Sequence, residues 1–530
     1  MKTDVIVIGS GLGGLVCARL LAGRGRRVTV LERHSTPGGC LQSYRRRGVS
    51  FDTGLHYVGG LAEGHRLHRV FDSLGLMDLP WQRMDPDGFD LITIAGETFP
   101  LAEGYQHFAD RLADRFPRER DALRRYAALL ERADRLPPGD AEVQRLCAVG
   151  AYDYLQETFS DPLLVNVLAG NALKSDLQRE TMPLFNFLHA TSAFVGGGAW
   201  RLQGCGDDLV AVLCRGIEDL GGTVVTGAEV SELVETDGRI TVARCTNGET
   251  YEADTFISDI HPQQTFALVK ESTKLSRLFR RRIDMLGNSL GMFTVSMVTD
   301  GDIPYFNHNK YIYRQANVWE TGPTNPTDPT NPTGPTPDPS PEGRGASGGW
   351  SVDRVLVSCM SKPALPGEAA GGLVVDLLTP VPLSLFEPWA DSRVGRRPDG
   401  YQQLKEQLAG ECIALAATQI PDLLKVGLGS LPHQEEVGGM GSQHRLPSPS
   451  GGGVGGGGFY TSSPLTWRDY TLTPLGSAFG LRKDWRQPLL TMLSPRTPIP
   501  NLLLTGQNLM LHGLEGVTMT ALQTCSDFLA

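Results

Sequence analysis

Six consecutive residues near the start of the chain, Gly9-Ser10-Gly11-Leu12-Gly13-Gly14, fit the spacing GxGxxG with an additional glycine at position 13. Glycines at these intervals suit phosphate binding. Gly9 permits a tight turn, Gly11 lets backbone approach a pyrophosphate, and Gly14 lets the following helix pack closely on the preceding strand. An acid, Glu32, stands about twenty residues downstream, where a carboxylate can accept hydrogen bonds from ribose hydroxyls. A turn built from Gly9, Gly11, Leu12, Gly13 and Gly14 with such an acid binds a dinucleotide.

Specific elements must hold these residues in place. Residues 4–8 (DVIVI) form a β-branched apolar run, as expected for a strand buried on both faces. Residues 15–21 (LVCARLL) read as a helix ending near Gly23 and Gly25. Residues 27–31 (RVTVL) form a second strand with Glu32 at its carboxyl end. In such a βαβ unit the helix N-terminus offers free N–H groups and a partial positive charge to the diphosphate.

Glu32-Arg33-His34-Ser35-Thr36-Pro37-Gly38-Gly39-Cys40 carries the acid into a second glycine pair, and residues 51–59 read FDTGLHYVG. With these segments the chain resembles the phytoene desaturase-like family of carotenoid and retinoid flavin oxidoreductases, in particular its retinol saturase branch. The resemblance implies an α/β fold: a Rossmann-like FAD-binding domain of the glutathione-reductase/amine-oxidase type with an inserted α+β substrate domain. It also implies FAD as cofactor, with Arg33, Gly38, Gly39 and Cys40 passing along the diphosphate.

The C-terminus fits the same pattern. Residues 500–506 (PNLLLTG) read as a strand ending in glycine, residues 507–517 as a loop and 518–529 as a helix. The resemblance places Gly506, Gln507, Gly516 and Val517 at the isoalloxazine, and implies that Gly476, Ala478 and Gly480 allow close approach to the ring. A helix N-terminus there stabilises the anion of reduced flavin. Residues 209–220 form a further helix. Residues 230–234, 240–243 and 249–251 form a small meander, and 253–258 return a strand to the parallel sheet. The resemblance sets Val230 against the adenine. His261-Pro262 reads as a turn.

The implied reaction is hydride transfer between flavin N5 and a conjugated polyene in an apolar tunnel, with the saturase direction favoured. Candidate proton donors are His56, Tyr57, His512 and Glu515, because histidine is easily held near neutral pKa. A carotenoid desaturase or isomerase is the alternative enzyme. A lipid-carrying protein like the Rab GDP-dissociation inhibitors, without flavin, is the alternative of another class. Only one GxGxxG follows a strand, so NAD(P), a quinone or a protein partner would exchange electrons transiently.

Composition narrows the classes further. The chain has 530 residues, 40% hydrophobic and 20% charged, with a net charge of -10, which disfavours nucleic-acid binding. Nine cysteines without a CxxC pair suggest reduced thiols and no zinc site. No metal is expected. No apolar run reaches the ~20 residues of a membrane span, so a cytoplasmic protein is expected, with peripheral membrane contact compatible. The FAD-binding domain is drawn from residues 1–100, 200–265 and 465–530. Residues 101–199 and 266–464 are drawn as the substrate-binding and lid domain. Two low-complexity inserts, 321–349 and 438–458, lie within it. The first has proline at 323, 326, 329, 332 and 335, a polyproline II or disordered pattern. Amphipathic helix is expected over 103–136.

Overall fold

A computed structural model describes residues 2–46, 49–137, 139–299, 303–320, 350–360, 373–428 and 459–529. Both predicted inserts lie outside these residues.

The chain opens with strand β1 (Lys2–Ile8), helix α1 (Leu12–Ala22) and strand β2 (Val28–Leu31). Strands β3 (Asp90–Ile94) and β4 (Glu97–Leu101) follow, then helices α2 (Tyr105–Arg115), α3 (Arg120–Arg135) and α4 (Leu184–Gly197). Next come α5 (Gly206–Asp219), β5 (Thr223–Val225), β6 (Val230–Thr236), β7 (Arg239–Cys245), β8 (Thr250–Ser258) and α6 (Pro262–Leu268). The second half adds β9 (Gly291–Thr299), β10 (Asn309–Tyr313), β11 (Arg354–Cys359), β12 (Leu373–Val381), α7 (Asp399–Ala416) and β13 (Phe459–Ser462). Strand β14 (Leu502–Leu504) and helix α8 (Gly513–Leu529) close it.

The first sheet runs β5-β2-β1-β8-β14, all parallel. Strand β8 joins the parallel and the antiparallel parts of one seven-stranded sheet, which β7 and β6 complete. Residues 250–252 pair antiparallel with β7 in the meander, and 256–258 pair parallel with β14. The two strands expected at 249–251 and 253–258 are thus one. From β1 the chain moves outward to β2 and β5, then returns to the other side of β1 as β8. The gap between the carboxyl ends of β1 and β8 is the topological switch point, where open α/β sheets bind ligands. Helix α1 is apolar nearly all round because it is covered on several sides. Leu15, Val16 and Leu21 join one core with Leu209 and Leu213 of α5 and Ala521 and Cys525 of α8.

The second sheet runs β13-β9-β12-β11-β10-β3-β4 and is antiparallel except for the β3–β10 pair. Period-two alternation splits its side chains between two cores. Phe293, Val357 and Leu377 pack with Leu404, Leu408 and Cys412 of α7. Their neighbours Met292, Leu356 and Leu378 face the opposite core, with Leu123, Tyr126 and Leu130 of α3. Those three α3 residues share one face, and arginine and acid occupy the other, as amphipathic spacing requires. Strands β3 and β4 belong to this second sheet, so the sequence boundary after residue 100 cuts through its pairing.

Three local readings are corrected. His261 does not sit in a simple turn: it caps α6, its Nδ1 accepting from Gln263 N at 3.3 Å. Helix α8 begins at Gly513 rather than 518. The glycines at 476 and 480 make room for protein rather than a ring. A Cβ on Gly480 would meet the Asn508 amide, and one on Gly476 the Pro464 carbonyl.

Candidate active site

Ile8 and Ser258 are register partners, so the residues after them, Gly9 and Asp259, meet at the switch point. Gly9 turns with φ +92°, a conformation that favours glycine. The Glu32 carboxylate accepts from Ser10 N at 3.1 Å and His34 N at 2.8 Å, tying the end of β2 to the glycine turn. Gly38 N donates to the Ser10 carbonyl at 3.0 Å. A Cβ on Gly39 would lie 3.2 Å from Gly11 Cα, and one on Gly13 would lie 2.9 Å from Gly506 backbone. Three separate chain segments therefore converge with only hydrogens between them.

A cavity of about 640 Å³ follows this convergence. Glu32, Arg33 and Val230 line one end, beside Glu229. Gly9, Gly11, Leu12 and Gly13 line it together with Gly38, Gly39 and Cys40. Gly506, Gln507, Gly516 and Val517 lead onward. Gly14 is not among the lining residues. Its missing Cβ faces the Gly9 carbonyl and lies 3.2 Å from Val7 Cγ1, which is helix–strand packing. Arg33 is anchored by donating to the carbonyls of Asp469 (2.7 Å) and Tyr470 (3.0 Å).

The same cavity includes an apolar chamber walled by Ala193, Phe194, Met292, Leu356, Leu378 and Phe479. His56, Tyr57, His512 and Glu515 all reach it, in different surroundings. His56 Nδ1 stands 3.7 Å from Asp376 Oδ2. Burial, reinforced by Arg201, pushes the imidazole down to about 4, while burial pushes the Asp376 carboxyl up to about 7. Tyr57 Oη donates to Asp90 Oδ2 (2.9 Å), contacts Tyr311 Oη (2.7 Å) and accepts from Lys174 Nζ (3.0 Å). Burial, then the charge of Asp90, holds this phenol far above its usual range. His512 packs against Phe479 with ring centroids 4.9 Å apart. Burial, then the charge of Lys483, pushes it down to about 4. Glu515 is committed elsewhere: Oε1 accepts from Arg66 Nε at 2.6 Å. His65 and Asp134 complete a cluster with it whose ligand atoms lie within 4.8 Å of one another. The Arg66 guanidinium already supplies the cation there, its Nη2 3.7 Å from Asp134.

The family described as flavin containing amine oxidoreductase matches residues 12–331. The chain belongs to that family. All-trans-retinol 13,14-reductase of Rattus norvegicus is 24% identical over all of this chain and 86% of that protein. Prolycopene isomerase 1, chloroplastic, of an Oncidium hybrid cultivar is 23% identical over 57% of each. Among solved structures, putrescine oxidase bound to putrescine superposes with a TM-score of 0.60 at 14% identity, covering 100% of this chain and 99% of that one. An oxidoreductase from Methanosarcina mazei superposes with a TM-score of 0.58 at 14% identity, covering 99% and 100%. These superpositions establish the two-part fold. The protein is an FAD-dependent oxidoreductase, and the lipid-carrier alternative without flavin falls away.

The residues present fit the flavin nucleotide of this family. Glu32, Val230, the glycine turn at the α1 N-terminus, and Gly516 and Val517 near the α8 N-terminus all line the one cavity, and the N–H groups of a helix N-terminus suit a diphosphate. Among the described residues no helix is long and apolar enough to cross a membrane, and all nine cysteines are free. Sequence reading missed four polar groups: Asp259 and Lys174, which are half-buried and line the cavity, and Arg201 and Asp376, which are buried behind it. Burial pulls Lys174 down to about 8, and its Nζ lies 3.5 Å from the Phe194 ring centroid. Asp259 carried one available signal, an acid directly after a predicted strand. The others sit far from every motif.

Proposed function

We propose that this flavoenzyme reduces a carbon–carbon double bond of an apolar, conjugated polyene. FAD, when bound, supplies the hydride chemistry. The observation that carries the reading is the chamber continuing from the glycine cradle, walled by Phe194, Phe479, Met292, Leu356 and Leu378. Such walls orient a long apolar molecule and keep water from the reacting carbons.

The chain itself must provide a proton to the carbon next to the one that receives hydride. His56 lines the chamber, and the Asp376 carboxyl behind it holds a proton near neutral pH. Together they take the place of a general acid. Tyr57 and Glu515 are positioning groups, fixed by Asp90 and Arg66. The full-length similarity to retinol 13,14-reductases favours reduction. The similarity to prolycopene isomerases keeps isomerisation as the second reading.

Anaerobic incubation of the reduced holoenzyme with retinol or a carotenoid, followed by product mass, tests this. A gain of two hydrogens supports the proposal. Unchanged mass with altered double-bond geometry supports isomerisation. A loss of two hydrogens with oxidised enzyme reverses the direction.

A further inference from the structure

The side chain of Asp259 occupies the centre of the glycine cradle. A Cβ built on Gly11 would lie 2.5 Å from Asp259 Oδ2, one on Gly13 would lie 2.6 Å from Oδ1, and one on Gly506 would meet Oδ1 as well. Gly14 N donates to the same carboxylate. Three cofactor-site glycines thus leave room for an acid as well as for a ligand. That acid sits against the N-terminus of α1, where the field draws in negative charge. The dianionic diphosphate of FAD is drawn to the same helix end. Two anions cannot share it without cost.

We propose that FAD binds the form of Asp259 that carries a proton on its carboxyl group, so that association at alkaline pH takes up one proton from solvent. In that form the group donates from one oxygen and accepts the Gly14 N–H on the other, adding no charge beside the diphosphate. The surroundings already lean this way. Burial, with the like charge of Glu32 behind it, pushes Asp259 up to about 7 before any phosphate arrives. A neighbouring dianion pushes it higher.

The other ionisable groups facing Asp259 do not replace it. From α1, Cys17 is held well above its usual range by burial, then by Cys525. Cys40, in the 38–41 loop, is pushed up to about 12, again by burial. From α6, burial pushes His261 down to about 4, so it is neutral. The turn at 505–507 brings no ionisable side chain. Glu32, at the end of β2, is occupied by Ser10 and His34. His34, Glu229 and Arg33 line the cleft further along, and Lys174 lies in the chamber.

The sign follows from linkage: a group whose pKa rises on binding favours the complex below its free pKa and opposes it above. FAD affinity should be level below about pH 7 and fall up to tenfold per pH unit above it. Apoprotein titrated with FAD from pH 6 to 9, followed by quenching of flavin fluorescence, reads this directly. Asp259→Asn keeps the shape of the neutral acid and should bind FAD with nearly level affinity across that range. Calorimetry of the wild type at pH 8, in buffers of different ionisation heat, should count close to one proton taken up. A level wild-type profile, an unchanged slope in Asp259→Asn, or no proton uptake overturns the proposal. Calorimetry decides it even where the variant fails to fold.

Discussion

His56 Nδ1 and Asp376 Oδ2 face each other across 3.7 Å, one from the loop after the second glycine pair and the other from the middle of β12. Nδ1 and both carboxylate oxygens are buried, and Ser296, the register partner of Asp376 on β9, is the carboxylate's hydrogen-bonding neighbour. Asp376 shares the inner face of the second sheet with Leu378, which walls the chamber. Arg201 lies near enough to depress the imidazole, and two of its own nitrogens are buried without hydrogen bonds. An acid pushed up to about 7 beside a base pushed down to about 4 places the proton on Asp376 at neutral pH. Moving it to His56 is uphill by that difference, a cost that negative charge developing in the chamber lowers.

The pair gives opposite pH limbs for opposite reactions. Reduction needs the proton in place, so single-turnover oxidation of reduced enzyme by the polyene should be level below about pH 7 and fall above it. Desaturation needs the deprotonated pair, and its rate should climb toward 7. Asp376→Asn should remove the limb and slow reduction by about 100-fold or more, the usual worth of a general acid. A retained limb in that variant would clear Asp376 of the role.

Glu32 holds the glycine turn and borders the cavity. Its carboxylate accepts from Ser10 and His34 and lines the cleft. Glu32→Ala should weaken FAD binding by about 10- to 100-fold, the worth of one or more charge-assisted hydrogen bonds. Equilibrium dialysis with FAD measures it, and purified variant should lose its yellow colour on gel filtration. An affinity within twofold of wild type would remove Glu32 from the cofactor site.

The glycine turn and the acid that holds it were legible in the sequence because their geometry is local. Gly9 to Gly14, Glu32 and the Gly38-Gly39 pair each need only a turn and one neighbour to be understood. The chamber was not, because its walls come from nonlocal pairing. Nothing in residues 90–101 says that β3 lies parallel to β10, more than 200 residues away. Asp376 reads as one polar residue in an apolar strand, and only the alternation of β12 beside Leu378 turns it toward His56. Glu515 was found by position in the closing loop, but Arg66, which fixes its role, lies 449 residues upstream.

That ion pair makes a stability test. Glu515 is 6% exposed, and Arg66 Nε lies 2.6 Å from it. Arg66→Met leaves a buried carboxylate without its cation, a loss of about 3–5 kcal/mol. Thermal unfolding should shift clearly downward. The double variant Arg66→Met, Glu515→Gln should recover much of it, since neither charge is stranded. Equal melting of the single variant and wild type would show that Glu515 does not depend on Arg66.

Tyr57 separates a supporting from a reacting role. Its hydroxyl joins Lys174 to Asp90, and Asn171 and Asn309 complete the carboxylate's hydrogen bonds at 3.0 and 2.9 Å. A phenol held so far above its usual range by burial and by Asp90 gives up its proton with difficulty at neutral pH. Tyr57→Phe should therefore leave the chemical step within a few-fold of wild type. It should also destabilise the fold by about 1–3 kcal/mol, because Asp90 and Lys174 each lose a partner in a buried setting. Stopped-flow kinetics and denaturant unfolding read the two effects separately. A 100-fold slower chemical step at unchanged stability would transfer the proton-donating role from the His56–Asp376 pair to Tyr57.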